Sequence, residues 1–363
     1  MKVAVLGVGL IGGSIGLAAG ERLGAEVVGF DPDPGTLETA LGLGALDSIA
    51  GSVSEAVAET DLAFCAAPVS ALPALVAEAL RHSGERTGVS DVGSTKQALA
   101  DAVSDLDQGP RFIGGHPLAG AETSGVENSR ADLFEGARWF LTPTERSSGI
   151  VFDRLHSFIA ELGAQPLAID PAEHDRAMAT ISHLPHVIAN VLAARAAETL
   201  VAAERRPELG RSFRDATRVA GSNPGIWGDI FAANGAVLAD EVESVIEKLR
   251  AVVGPLREAD GPQLATWQAA AAGYRQGLLD ADRPGGALLE LRLAVENRPG
   301  VVAEIALALG RAGVNIEEMS LDPSSDGRAG AISLWISGDD EAARASAIIG
   351  ALGHSVATVT GGA

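Results

Sequence analysis

Short apolar runs that end at glycine or aspartate, each followed by a longer stretch with apolar residues at helical spacing, dominate the first half of the chain. Val3-Ala4-Val5-Leu6 is the first such run, and an alanine- and leucine-bearing segment beyond Gly13 reads as its helix. Glu26-Val27-Val28-Gly29-Phe30, Asp61-Leu62-Ala63-Phe64-Cys65-Ala66-Ala67, Gly88-Val89-Ser90-Asp91 and a run ending in Phe112-Ile113 read as further strands. Strand and helix in alternation predict a parallel, doubly wound α/β sheet over residues 1–170, since crossover helices must cover both of its faces.

The pattern changes near residue 170. Asp170-Pro171-Ala172-Glu173 carries a helix-start signature, and Met178, Ile181, Leu184, Val187, Ile188, Val191 and Leu192 follow at helical spacing. Further helical segments predict an all-helical domain over 171–282, whose apolar content points to a second copy of the chain as partner. After the linker Asp282-Arg283-Pro284-Gly285-Gly286 comes an alternating run, 287–295. A helix over 301–312, a strand opening at Gly313-Val314-Asn315-Ile316, a strand over 331–336, a helix over 339–352 and a strand over 355–359 complete a βαββαβ order. That order is ferredoxin-like, and it defines a third domain over 287–363.

The candidate chemistry lies at the strand ends. Gly7-Val8-Gly9-Leu10-Ile11-Gly12 joins the first strand to its helix. Gly7 allows a tight turn, Gly9 lets backbone approach a pyrophosphate, and Gly12 permits close packing of helix on strand. The amides at that helix start, Leu10 and Ile11 included, would bind phosphate; the alternative is a tight turn with no ligand. Asp31 ends the second strand where an acid meets the adenosine ribose, and a carboxylate there repels a 2′-phosphate, so NAD is expected over NADP. Pro68 turns the chain after the third strand on the same rim. Ser94, in Val92-Gly93-Ser94-Thr95-Lys96, either caps a helix or reaches a substrate.

His116 stands in Gly114-Gly115-His116-Pro117-Leu118-Ala119-Gly120, just past the expected end of a strand. An imidazole titrates near neutrality and can accept a proton from a substrate hydroxyl, and ordinary packing is the other reading. In the helical domain, Arg218 suits a substrate carboxylate, or else a surface pair with Asp215. His183 and His186 share a helix face, but Pro185 lies between them and no thiolate or carboxylate cluster accompanies them, so no metal site is expected. His174 beside Asp175 reads as structural.

Composition narrows the field. The chain has 363 residues, a formal net charge of -21 and one cysteine, Cys65. The charge argues against nucleic-acid binding, and it requires any site for an anion to gather positive charge locally. One cysteine permits no intrachain disulfide. No leader precedes the first strand and no long uninterrupted apolar window stands out, so a cytoplasmic protein without a membrane span is expected.

The motifs in combination resemble the prephenate dehydrogenase family. They are Gly7 to Ser14, Asp91-Val92-Gly93-Ser94-Thr95-Lys96, Gly115-His116-Pro117-Leu118-Ala119-Gly120, Ser182-His183-Leu184-Pro185-His186, and Thr217-Arg218-Val219-Ala220 with Trp227. The tail, with Asn297-Arg298-Pro299-Gly300 and Gly313-Val314-Asn315-Ile316, resembles an ACT domain, a module that usually binds an amino acid. The resemblance implies a Rossmann-type NAD domain, a helical domain that dimerises, and a regulatory ACT domain in which Asn297, Gly300 and Asn315 would contact tyrosine or another amino acid.

It further implies a reaction in which hydride leaves the hydroxyl-bearing C4 of prephenate for NAD, CO2 is lost and the ring becomes aromatic. His116 would take the C4 hydroxyl proton and Ser94 would bond the same oxygen. Arg218 would hold a carboxylate with His186 beside it, supplying the positive charge, while Trp227 shapes the wall and Glu122 gates or polarises the pocket. Arogenate, with an amine for the side-chain ketone, is the alternative substrate. Two rival readings differ from this in the residues they need. A β-hydroxy-acid dehydrogenase would need a lysine on the helical domain, where only Lys248 stands; a silent amino-acid sensor would not need Ser94, His116 and Arg218 intact.

Overall fold

An apolar run with no polar face has to be covered on both sides, and the amino-terminal run becomes the centre of a sheet. In the computed structural model, which describes residues 1–120, 123–201, 209–281, 288–296, 301–314, 316, 318–323 and 329–359, Val3, Ala4, Val5 and Leu6 are fully buried. Their side chains alternate between two cores, Val3 and Val5 in one with Ile15, Phe64 and Trp139, Ala4 and Leu6 in the other with Val76 and Leu80. The chain divides into two compact units, Met1–Leu249 and Arg250–Ala363.

In the first unit β1 (Lys2–Leu6), α1 (Leu10–Leu23), β2 (Glu26–Phe30), α2 (Pro34–Gly42), β3 (Ser48–Ile49), α3 (Val53–Val57), β4 (Leu62–Cys65), α4 (Leu72–His82), β5 (Gly88–Asp91), α5 (Gln97–Ser104) and β6 (Phe112–Pro117) follow one another. The sheet then gains β7 (Arg138–Thr142) and, after α6 (Gly149–Glu161), β8 (Gln165–Ala168). Its strand order is β3-β2-β1-β4-β5-β6-β7-β8, parallel from β3 through β6. The order reverses between β1 and β4, which opens the crevice where such sheets place ligands. Gly7 makes the turn there with φ +95°, and a Cβ on Gly12 would overlap the Gly7 carbonyl oxygen. Small residues therefore let α1 sit directly on the turn.

β7 runs antiparallel to β6 and pairs Phe140 with His116. This corrects the expected position of His116: the strand does not stop at Ile113 but continues through Pro117, because β7 supplies hydrogen-bond partners that no local pattern announces. Beneath β6, Lys96 Nζ donates to Asp91 and, at 2.7 Å, to the Gly115 carbonyl. Asp91 in turn accepts from Gly93 N at 2.8 Å and Gly115 N at 3.0 Å. Both side chains are excluded from solvent, and burial lowers the Lys96 pKa against the opposing pull of Asp91.

The helical segment comprises α7 (Pro171–Met178), a π-helical turn (Ala179–His183), α8 (Leu184–Val201), α9 (Arg211–Thr217), a 3₁₀ segment (Arg218–Gly221), α10 (Pro224–Ala233), α11 (Gly235–Glu258) and α12 (Gly261–Ala281). Asp170 caps α7 through the amides of Ala172 and Glu173, as its sequence signature requires. One helical stretch, Pro171–Thr199, is long and apolar enough to cross a membrane by length and composition, although His183, His186 and Asn190 interrupt its apolar run. The same stretch carries His174, Asp175 and His183, all buried and hydrogen-bonded within this unit.

α12 belongs to the second unit, with β9 (Leu288–Glu296), α13 (Val301–Arg311), β10 (Glu318–Pro323), β11 (Ala329–Ser337), α14 (Asp339–Ala351) and β12 (Ser355–Val359). Its antiparallel sheet has the order β10-β11-β9-β12, the ferredoxin-like arrangement, over a core of Leu291, Leu293, Leu309, Leu334 and Ile349. The expected strand at Gly313 is corrected. Gly313 adopts φ +72° and Val314 N returns to the Leu309 carbonyl, so this stretch ends α13, and the strand begins at Glu318. Asn297, Gly300 and Asn315, expected to contact a regulatory ligand, lie outside the described residues.

Lys96→Met would strand the Asp91 carboxylate in the core, and unfolding by urea should show a loss of about 3–5 kcal/mol. Adding Asp91→Leu to that variant should restore part of the loss. Equal stability of the Lys96→Met variant and the parent would remove this pair from the account.

Candidate active site

The glycine turn and the start of α1 form one wall of a cavity of about 390 Å³, which Gly9, Leu10, Ile11, Gly12, Pro68 and Ser94 all line. Gly9 has no side-chain cap to offer the helix, and nothing stands within 4 Å of where its Cβ would be. Free amides at a helix start beside open space suit a phosphate. Asp31 holds the turn in place by accepting from Val8 N at 2.8 Å, while its other oxygen accepts from Asp33 N at 2.9 Å. Across the cleft, Ser70 Oγ donates to Asp229 of α10 at 2.5 Å.

A second cavity, about 700 Å³, is lined by Ser94, His186, Arg218, Ser222, Asn223 and Trp227 among others. The two cavities share Ser94, Gly120, Thr123, Ser124, Ile226 and Ile230, so they meet. Neither Ser94 nor Thr95 caps a helix: α5 is capped by neither side chain, and its first amides are taken by a residue from α7. Ser94 is therefore left at the junction of the cavities. Arg218 opens the 3₁₀ segment after α9, and Asp215 pairs with Arg211 at 3.7 Å.

His186 and Trp227 are stacked, ring centroids 3.3 Å apart at 22°. His186 Nδ1 donates to the Ser182 carbonyl at 3.0 Å, which leaves Nε2 as an acceptor, 3.4 Å from Ser222 Oγ. Burial lowers its pKa and Arg218 adds to the effect. The lowered pKa favours the neutral ring of His186, opposed by its bond to the Ser182 carbonyl, whereas Arg218 is the permanent cation of this cavity lining. Glu122 lies outside the described residues.

His116 does not line either cavity. It stands half-buried on β6, its Nδ1 2.8 Å from Nε2 of His174, and His174 Nδ1 is 2.8 Å from Asp175 Oδ1. Asp175 also accepts from Lys96 N at 2.7 Å and Gln97 N at 2.9 Å. Desolvation pushes the His116 pKa well below its ordinary value, with His174, Lys96 and His183 adding in that order. His183 is pushed down to about 4, chiefly by burial, and its Nδ1 accepts from Asn234 at 3.2 Å.

The sequence reading missed His174 and Asp175 as partners of His116. Their adjacency was visible, but only the docking of α7 on β6 brings them to a residue 58 positions away. Among the described residues no group of three histidine, cysteine or acidic side chains is arranged to hold a metal ion.

Three family models match the chain: the prephenate dehydrogenase nucleotide-binding domain over residues 18–167, the prephenate dehydrogenase dimerization domain over 170–269, and an AHAS small subunit-like ACT domain over 291–353. Prephenate dehydrogenase of Bacillus subtilis is 32% identical over 358 residues, covering 96% of each chain. Cyclohexadienyl dehydrogenase of Zymomonas mobilis is 29% identical, covering 72% of this chain and 90% of its own. Among solved structures, prephenate dehydrogenase from Aquifex aeolicus in complex with hydroxyphenyl propionate and NAD+ has a TM-score of 0.68 at 28% identity, covering 77% of this chain and 98% of that one. Arogenate dehydrogenase of Synechocystis gives 0.67 at 28% identity, covering 77% and 100%. With a relative of that identity along nearly its whole length, and with two domain models in the same order, the chain belongs to the prephenate dehydrogenase family.

Proposed function

We propose that this chain oxidises prephenate to 4-hydroxyphenylpyruvate with NAD, releasing CO2. The observation that carries this reading is the meeting of the two cavities at Ser94, one with a helix start suited to phosphate and the other with Arg218. NAD fits the first: the open turn at Gly9 accepts a pyrophosphate, and the half-exposed Asp31 disfavours a 2′-phosphate. When bound, NAD accepts hydride from C4 of the ring.

This chain's residues handle the rest. Arg218 pairs with a substrate carboxylate, and the flat Trp227–His186 stack gives the ring a wall. Ser94 bonds the C4 hydroxyl, and His116, neutral because burial depresses its pKa, takes a share of that hydroxyl's proton as hydride departs. The electrons of the C1–carboxylate bond then enter the ring, CO2 leaves, and the proton returns to the phenolic oxygen. No net proton is released.

Prephenate is preferred to arogenate on charge. The charged side chain among the described residues lining the second cavity is the cation Arg218, which favours the more anionic of the two substrates. In the same reading the chain pairs with a second copy through the region matched by the dimerization-domain model, where Ile188, Val191 and Leu192 of α8 are exposed. The ACT unit binds an amino acid, tyrosine being the expected one, and the enzyme works in the cytoplasm.

NADH formation should be seen with prephenate and NAD, should be much weaker with arogenate or NADP, and should fall when tyrosine is added. Turnover of arogenate alone would overturn the charge argument, and no turnover of either would overturn the activity. The pH profile follows from the depressed His116 pKa: the base is neutral above that pKa and inactivated as pH falls through it. Thus kcat/KM should hold steady from pH 7 to well below 6.5, where an ordinary histidine would already fail. His116→Asn should lower kcat by roughly 10²-fold or more. Arg218→Ala should raise KM by about 10-fold or more with a smaller change in kcat, as expected for loss of a charge-assisted pair.

A further inference from the structure

His174 and Asp175 belong to neither cavity and to none of the expected chemistry, yet they are the buried groups that meet His116. His174 is fully buried on α7, its ring set edge-on against Phe140 with centroids 5.5 Å apart at 79°. One nitrogen faces Asp175 and the other faces His116.

The direction of each hydrogen bond can be worked out from the fixed end. Asp175 accepts two backbone amides, Lys96 N on Oδ1 and Gln97 N on Oδ2, so both of its oxygens present lone pairs to donors. An ionised carboxylate only accepts, so His174 Nδ1 carries the hydrogen toward it. A neutral His174 then has its lone pair on Nε2. The hydrogen between the two rings must therefore come from His116 Nδ1, and the lone pair of His116 is confined to Nε2.

We propose that His174 and Asp175 are positioning residues for the reaction, fixing the ring of His116 in the Nδ1–H form with Nε2 as its proton-accepting atom. This rests on His116 being the base. The proton from the substrate hydroxyl arrives on Nε2, Nδ1 keeps its own hydrogen, and the resulting cation is bonded through His174 to the carboxylate of Asp175. Burial first, then the neighbouring His174, Lys96 and His183, disfavour charge on His116, with Lys96 offset in part by its partner Asp91 on the β5–α5 side; the link through His174 to the carboxylate of Asp175 works against them. Proton uptake stays reversible, which a reaction with no net proton release needs.

The test reads the tautomer directly. In full-length enzyme labelled with 15N-histidine, with NAD present, the His116 ring is assigned by the signal missing from His116→Gln. The expected spectrum shows His116 protonated on Nδ1 and not on Nε2; the opposite tautomer overturns the proposal. His174→Phe should lower kcat by roughly 10²-fold or more, the scale for a base held in the wrong tautomer, while KM changes less than about threefold. Its His116 signal should lose the Nδ1–H signature. His174→Gln, which keeps an acceptor for His116 Nδ1, should recover part of the loss. Unchanged kcat in His174→Phe would overturn the positioning role. Normal turnover in His116→Gln, with the expected tautomer still present in the parent, would overturn the base assignment itself.

Discussion

One carboxylate joins the sheet to the helices. Asp175, on α7, takes the amides of Lys96, the residue that precedes α5, and of Gln97, its first residue, together with the Nδ1 hydrogen of His174, and its own carbonyl accepts from Asn234 between α10 and α11. A helix start with no cap of its own is a cluster of unsatisfied donors, and burying it without a partner would be costly. Here the partner comes from the neighbouring layer, so the requirement of α5 for an acceptor fixes where α7 lies. Once α7 is placed, His174 is against His116, and the continuation through the π-helical turn and α8 brings His186 to the cavity that holds Arg218.

The second constraint is charge. An acidic chain has to attract a substrate bearing carboxylates, and the structure gives Lys96 and Arg218 separate duties. Lys96 is locked under β6 against Asp91, where it supports strand geometry and cannot reach a ligand. Arg218 lines the cavity. The histidines around them are kept neutral by burial, so His116 remains an acceptor and His186 an aromatic surface.

Much of this was legible in the sequence, because local chemistry leaves local marks. The glycine turn, Asp31, Ser94, Arg218 and Trp227 were read from motifs and stand on the cavities or at the turn beside them. The βαββαβ order of the carboxyl-terminal unit was legible too, although its second strand begins at Glu318 and not at Gly313. What escaped depends on pairing between distant segments. His116 was placed past its strand because β7 was not in view, and Ser94 had a helix cap as an alternative because Asp175 was not. The lowered pKa of His186 comes from its burial and from Arg218 nearby, which only the folded chain brings together.

The π-helical turn at Ala179–His183 has a consequence for how such a site can change. A π turn holds an additional residue within an otherwise continuous helix, so it sets the angular phase between everything before it and everything after it. His174 lies on one side of this phase shift and His186 on the other, and loss of a single residue would swing α8 by roughly 100° relative to α7. Substitutions around the substrate cavity can accumulate one at a time, whereas the spacing between the proton-handling pair and the cavity wall is quantised. The chemistry and the choice of substrate are thus tied to one helix by its winding, and chain length in that turn is a stricter inheritance than the identity of its residues.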